Sequence, residues 1–441
     1  MTTIDDPAAL AAVGARSSLR RRVFIASAVG SVIEYYDFLI YATAASLVFP
    51  KVFFPNTDGA LGVIASFGTL AVGYLARPLG GVLFGHLGDR LGRKSMLLWT
   101  LGLMGASTLL IGLLPSHAQI GLLAPVLLVA LRLLQGVAVG GEWGGAALMA
   151  VEHADTKRRG LLGSATQIGM SAGLLLSFAA FAALGALDQD DFLAWGWRLP
   201  FIATVVMVAL GVYIRIGIEE SPVAEDAKLA ANADRRIPLV AVLRDRPRQV
   251  LLGTFLYVGP FMAYTVATTM LVAYASKEYG IERQSLLNGM MIGTAGMLIT
   301  IPAFAMLSDR IGRRPVYITS ALLTAAWVFV LFPLVTSGSF ALIVLAYFVS
   351  MTLLNASANS PVPALLAELF PTSTRYTGVS VCYQIGGMIG GGLGPLIATT
   401  FIVPGGPGVG AVSAMIAALC VISALCAHLL GDTRRVDLRD A

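Results

Sequence analysis

Charged residues are scarce. Asp, Glu, Lys and Arg make up 12% of the 441 residues, against about a quarter in an ordinary soluble domain. Residues 95–131, 249–276, 284–308, 316–367 and 376–431 contain none of them. With 57% of the chain hydrophobic and a mean hydropathy of +0.80, a water-soluble fold is excluded. Cysteine and histidine are equally sparse. Cys382, Cys420 and Cys426 are odd in number and lie in apolar segments, so no disulfide framework is expected. His86, His117, His153 and His428 follow no metal-ligand spacing, and neither a metal nor another cofactor is expected. No G-x-x-x-x-G-K-[ST] loop occurs among the 48 glycines, which argues against a nucleotide-driven pump. The first residues run from Asp5, Asp6 and Pro7 to Arg20, Arg21 and Arg22 without the short apolar stretch of a signal peptide, so none is expected to be removed.

What is present is apolar sequence in lengths that suit a bilayer, where one crossing helix takes about 20 residues. Apolar runs between polar turns predict twelve spans, near 23–49, 60–86, 95–114, 119–150, 161–187, 196–216, 249–276, 284–307, 315–335, 338–367, 377–402 and 407–430. Assigning the loops alternately to two sides places 24 of the 30 Lys and Arg with both termini. Only Lys51, Arg198, Lys277 and Arg283 fall opposite, and Arg77 and Arg132 are left inside spans. By the positive-inside rule both termini are expected in the cytoplasm. The net charge of +5 therefore reads as a topology signal and not as a nucleic-acid face.

The longest hydrophilic stretch, 217–248, reads as a cytoplasmic linker between 1–216 and 249–441, each with six spans. The halves repeat one another. Gly88-Asp89-Arg90-Leu91-Gly92-Arg93-Lys94 recurs 220 positions later as Ser308-Asp309-Arg310-Ile311-Gly312-Arg313-Arg314. Glu152 with Arg159 recurs 216 positions later as Glu368 with Arg375, with the same spacing of seven. A tandem six-plus-six repeat is the build of rocking carriers, whose site lies at the interface near the bilayer midplane.

The doubled D-R-x-G-R-[KR] loop and the Arg132-Leu133-Leu134-Gln135-Gly136…Gly140 run resemble motifs of the major facilitator superfamily over essentially the whole chain. Glu34-Tyr35-Tyr36-Asp37-Phe38, Gly140-Gly141-Glu142-Trp143-Gly144-Gly145-Ala146, Trp195-Gly196-Trp197-Arg198-Leu199-Pro200-Phe201 and Glu220-Ser221-Pro222 are similar to its metabolite:proton symporter family. Members of that family carry organic acids, shikimate, proline or betaine. Ile40-Tyr41-Ala42-Thr43-Ala44-Ala45 with Phe49-Pro50 leans towards the shikimate-like branch, while Tyr35 stands where the family more often has Trp. The resemblance implies an all-α polytopic membrane protein, twelve transmembrane helices in two six-helix bundles; with no heptads after the last span, the coiled-coil tail of the osmosensing members is not expected.

An ionisable residue inside a span is a functional hypothesis by default. Glu34 and Asp37 share a helical stripe with Ser27, Gly30 and Tyr41, the last a candidate substrate ligand, and Glu34 lies about 16 Å into its span, near the midplane. Desolvation and mutual repulsion oppose ionising both acids, which suits proton binding. The alternative is a carboxylate that only bonds a neighbouring helix. Arg77, about 18 Å from the end of its helix, offers a planar fork for a substrate carboxylate, or else a permanent salt bridge to Glu34, Asp37 or Glu142. Glu142 lies deep in the same segment as Arg132 and Gln135, and with Glu34, Asp37 and Arg132 it is a candidate for proton coupling. The resemblance implies a role in proton transfer for Arg132; helix-packing glue is its alternative.

The second half has no charge within its spans, so its share of the site is expected to be neutral. Tyr257, Tyr264, Asn288, Asn355, Asn359, Tyr383 and Gln384 are the candidates, each equally open to reading as an interhelical hydrogen bond. Asp89 and Asp309 are expected to bond orphan N–H groups at neighbouring helix starts. Arg90, Arg93, Lys94 and Glu152, the repeats Arg310, Arg313 and Glu368, and Arg375, the repeat of Arg159, are expected to form gate ion pairs. Together these readings predict a secondary carrier, not an enzyme, that moves a small organic acid with protons. A uniporter, exchanger or carrier of a zwitterion such as proline or betaine is the alternative. The expected partners are substrate, protons and lipid, with a monomer as the working unit.

Overall fold

The computed structural model describes residues 7–55, 59–184, 187–218, 220, 238–402, 406–431 and 438. Most of the expected linker, residues 219 and 221–237, lies outside these. Twelve helical stretches among the described residues are long and apolar enough to cross a membrane: α1 (Ser18–Leu47), α2 (Gly68–Leu91), α3 (Arg93–Leu113), α4 (Leu123–Glu152), α5 (Thr156–Leu184), α6 (Gly196–Ile216), α7 (Pro247–Tyr279), α8 (Arg283–Ile311), α9 (Arg313–Val335), α10 (Phe340–Ala367), α11 (Thr372–Ile402) and α12 (Val409–Leu430). Their outward faces carry exposed Leu79, Val126, Val206 and Ile299. In water such faces would drive aggregation; in lipid they are the solvated surface. Pro78, Pro260, Pro302 and Pro333 sit within helices. Membrane helices tolerate them because neighbours and local adjustments satisfy the freed carbonyls.

The two sets of six pack alike. α2 lies on α4 as α8 lies on α10, and α1 lies on α5 as α7 lies on α11. Across the interface α2 meets α11 and α5 meets α8, a pairing related by the same pseudo-two-fold. Small residues set the closest approach. A Cβ at Gly140 of α4 would stand 2.7 Å from Gly81 N and 2.9 Å from Gly80 Cα of α2, so only glycine lets these backbones touch.

The repeated glycine of the D-R-x-G-R motif has a backbone reason. Gly92 (φ 103°, ψ 152°) and Gly312 (φ 108°, ψ 155°) are the single residues that break α2 from α3 and α8 from α9. A side chain is excluded from that conformation. The helices run farther than the apolar pattern suggested, to Leu91 and Ile311, so Asp89 and Asp309 stand on last helical turns and not in loops. Charged residues at a helix end sit at the headgroup level without terminating the hydrogen-bonded ladder. The second half alone, among the described residues, carries π-helical turns, at Val266–Met270 in α7, Phe348–Asn355 in α10 and Met388–Leu393 in α11. Such turns recur at functional sites.

Candidate functional site

Glu34 and Asp37, three residues apart on α1, are 2% and 1% exposed. They line a hollow of about 240 Å³ with Phe38, Gly73, Arg77, Arg132, Gln135, Gly136 and Val139, all from the first half. Asp37 is firmly held. Thr108 Oγ1 of α3 donates to its Oδ2 at 2.6 Å and Thr204 Oγ1 of α6 to its Oδ1 at 3.0 Å. Gln135 Nε2 donates to Thr108 Oγ1 at 2.7 Å and Gln135 Oε1 accepts from Arg132 at 2.6 Å, so one polar chain links Arg132 to Asp37. The Arg132 guanidinium lies 4.0 Å from the centre of the Tyr41 ring. Glu34 is held less tightly: its buried Oε2 has no hydrogen-bond partner among the described residues.

Arg77 is positioned by aromatic faces. Its guanidinium is 4.5 Å from the Tyr74 ring centre and 5.3 Å from that of Phe38. Among the described residues it forms no ion pair, so the permanent salt bridge weighed from the sequence is not found. Glu142 has the bridge instead. Its carboxylate pairs with Arg215 of α6 and accepts from Thr100 Oγ1 at 2.6 Å. Arg215 is only 4% exposed, although the sequence reading grouped it with the linker cations. The available signal was Glu142 itself, since a carboxylate that deep requires a countercharge.

In the second half, Tyr383 is a hub. Its ring stacks on Trp143 of the first half at 3.4 Å between centres, and Tyr257 packs on it at 4.5 Å. The hydroxyls of Tyr35, Tyr383 and Tyr257 form a chain across the interface, with oxygens 3.2 and 3.1 Å apart. Tyr264 and Asn355 line a different hollow, of about 420 Å³, within the second half, beside Thr324, Trp327 and Ser350. Asn359 donates to Asn355 Oδ1 at 2.6 Å. Three expected ligands are engaged elsewhere. Tyr41 donates to Thr69 Oγ1 at 2.6 Å beneath Arg132. Asn288 accepts from Gln284 at 2.9 Å, two turns into α8 from the end opposite the Asp309 gate. Gln384 donates to the Gly140 carbonyl at 3.0 Å, tying α11 to α4. Amide and phenol groups in an apolar interior bind the nearest available acceptor, and spacing alone cannot name it.

The gate acids join the halves at the end where α2 and α8 stop. Asp89 accepts from the Tyr376 and Thr377 N–H groups of α11, each at 3.1 Å, and from Thr377 Oγ1 at 2.7 Å. Asp309 accepts from the Gly160 and Leu161 N–H groups of α5, each at 2.9 Å. Each half thus caps a helix of the other. Arg93 pairs with Glu152, to which Arg375 of the other half also bonds at 3.3 Å. Arg313 and Arg159 approach Glu368 at 3.5 and 3.6 Å. Two details differ from expectation. Arg310 is exposed, outside this network. Among the described residues Lys94 meets no acid with its ammonium, which donates to the Ile216 carbonyl at 2.8 Å, while its N–H donates to Glu220 at 3.1 Å. Arg90 is half-buried next to Asp89.

The Major Facilitator Superfamily model matches residues 27–303 and again 261–440. The chain belongs to that superfamily. Over 424 residues, 95% of this chain and 96% of the other, it is 41% identical to the shikimate transporter of Escherichia coli K12. It is 39% identical over 427 residues to the inner membrane metabolite transport protein YhjE of the same organism, again covering 95% and 96%. The proline/betaine transporter of Salmonella typhimurium LT2 is 32% identical over 394 residues, 87% of this chain and 78% of that one. Among solved structures, the proton:xylose symporter XylE superposes with a TM-score of 0.75 at 19% identity, covering 96% of this chain and 98% of that one, a likeness of fold. The superfamily member described here is a multi-pass membrane transporter of metabolites, and not an enzyme.

Proposed function

We propose that this transporter carries a small organic anion, shikimate-like or a related mono- or dicarboxylate, together with protons by alternating access. The observation that carries the reading is the content of one hollow: an arginine without an ion-pair partner among the described residues, beside two buried carboxylates, one of them incompletely bonded. Arg77 receives the substrate carboxylate through parallel N–H bonds. Asp37 and Glu34 hold the proton, and Arg132 adjusts Asp37 through Gln135 and Thr108. A protonated acid and an anion-bound arginine lower the net charge that a closed pocket must bury, so the loaded carrier reorients more readily than either half-loaded form. Tyr35, Tyr257 and Tyr383 link the two halves across the interface, and Tyr264 with the Asn355/Asn359 pair offers neutral polar groups at the separate hollow of the second half. The Asp89 and Asp309 caps, with Arg93, Arg313, Arg375, Glu152 and Glu368, hold one side closed, and the excess of Lys and Arg at that end makes it the cytoplasmic side of the inner membrane.

The relatives include carriers named for proline and betaine. A quaternary ammonium is bound by free aromatic faces, and those of Tyr74 and Phe38 are occupied by Arg77, which favours the anion. The test is uptake of labelled shikimate, 2-oxoglutarate, proline and betaine into proteoliposomes with an alkaline lumen. Accumulation of an acid above equilibrium, collapsing with a protonophore, is expected. Accumulation of betaine alone would replace the anion reading, and uptake indifferent to the pH gradient would remove proton coupling.

A further inference from the structure

Two hollows lie one beyond the other along α1 and α4. The acid hollow is reached by Glu34 of α1 and Val139 of α4. A second, of about 280 Å³, lies nearer the gate end and is lined by Ser27, Lys94, Met149, Arg215 and Ile218, among others. Ser27 and Glu34 are about 10 Å apart by helical rise. The level between them is that of Gly30. A Cβ there would stand 2.7 Å from Glu142 Oε1 and 3.0 Å from Arg215 Cζ, so the ion pair fills the space that separates the hollows. Just beyond it, Ser27 Oγ donates to the Ala146 carbonyl at 3.1 Å and closes α1 onto α4. Arg215 is fixed further by a bond from Nη1 to the Leu97 carbonyl at 2.7 Å. Among the described residues, the ionisable groups that interact with the pair are Glu34 from α1 and Tyr376 from α11.

We propose that the Arg215–Glu142 pair is an internal proton barrier. It insulates the acids that exchange the proton from the hollow on the gate side, so that a proton crosses only when the two halves rock. A fixed guanidinium in a narrow passage repels a hydrated proton, the device by which water-conducting pores exclude protons. Glu142 supplies the countercharge without which a buried guanidinium is unstable. The inference rests on the proton-coupled reading of Glu34 and Asp37.

The test is substrate-free proton entry into proteoliposomes carrying a lumenal pH dye, driven by a potassium diffusion potential. The wild type is expected to be tight. Arg215→Gln with Glu142→Gln removes both charges together and strands neither. It is expected to raise proton entry by about tenfold or more, which requires lowering the barrier by only about 1.4 kcal/mol. Arg215→Lys keeps the cation and should stay tight, and adding Glu34→Gln to the leaky variant should close the leak. A double variant as tight as the wild type, with unchanged helicity and monodisperse elution, would overturn the proposal. So would an Arg215→Lys variant that leaks as much as the double, since packing and not charge would then be the barrier. If the double variant does not fold, Gly30→Ala serves instead: its methyl would overlap the Arg215 guanidinium and push that charge out of the passage. A leak of roughly threefold is expected from it, and a tight vesicle would overturn the barrier. Because no substrate is added, the leak is read independently of symport. Symport fails separately, if substrate drives no proton into wild-type vesicles.

Discussion

The two halves are nearly alike at the gate and unlike in the membrane interior. At the gate, Asp89 caps α11 and Asp309 caps α5, and each is followed by a glycine in the same rare conformation. In the interior the first half buries Glu34, Asp37, Arg132, Glu142 and Arg215. The matching interior stretches of the second half, residues 249–276, 284–308, 316–367 and 376–431, contain no charged residue, and this half instead carries three π-helical segments and a tyrosine hub. Duplication has been kept where the halves must close symmetrically on each other. It has been abandoned in the interior, where the proposed proton and anion chemistry lies, and a single charged bundle working against a neutral one avoids burying two sets of unpaired charges.

Neutralising the acid of the charged half should break this comparison most visibly. Asp37→Asn is expected to abolish uphill uptake while leaving exchange of labelled substrate; retained accumulation against a gradient would reassign the proton site. Next comes Arg77→Lys. Losing parallel N–H bonds to a carboxylate costs about 1.5–3 kcal/mol, so affinity should fall roughly tenfold to a hundredfold. An unchanged KM would remove Arg77 from the anion site. Asn355→Ala, its counterpart in the neutral half, should cost no more than about tenfold in affinity, and a larger loss there would move the binding energy across the interface.

The gate supplies the symmetric control. Asp89→Asn and Asp309→Asn should each favour the form open at that end by a similar factor, about tenfold for each charge-assisted bond set lost. Alkylation of a cysteine introduced at Ser380, on α11 between the halves, reads the shift. If only one of the two variants moves it, the halves are not equivalent at the gate either. The smallest effects should come from Gly92→Ala and Gly312→Ala, about 1–3 kcal/mol each from the forced backbone. Equal drops in Tm would show that the motif's glycine serves geometry alone.

Much of this was legible in the sequence because hydropathy and repeats are local. The twelve spans, the doubled motif at an offset of 220 and the depth of Glu34, Asp37 and Arg77 follow from counting along the chain. Partner choice does not. That Asp89 caps α11 and not a helix of its own half depends on how the bundles meet. Arg215 lies at the end of α6, where residue counting puts it with the linker, yet its long side chain reaches Glu142 in the interior. Gln384 and Tyr41 have the composition of ligands and the positions of packing bonds. The π-turns leave no mark in an apolar run, since their cause is the packing around them.

Proton movement with substrate tests the central claim most directly. In proteoliposomes without an imposed gradient, adding shikimate outside should acidify the lumen of wild-type vesicles, and Asp37→Asn vesicles should exchange shikimate with no change in lumenal pH. Shikimate entry into wild-type vesicles without acidification, or acidification by the Asp37→Asn variant equal to the wild type, would contradict it.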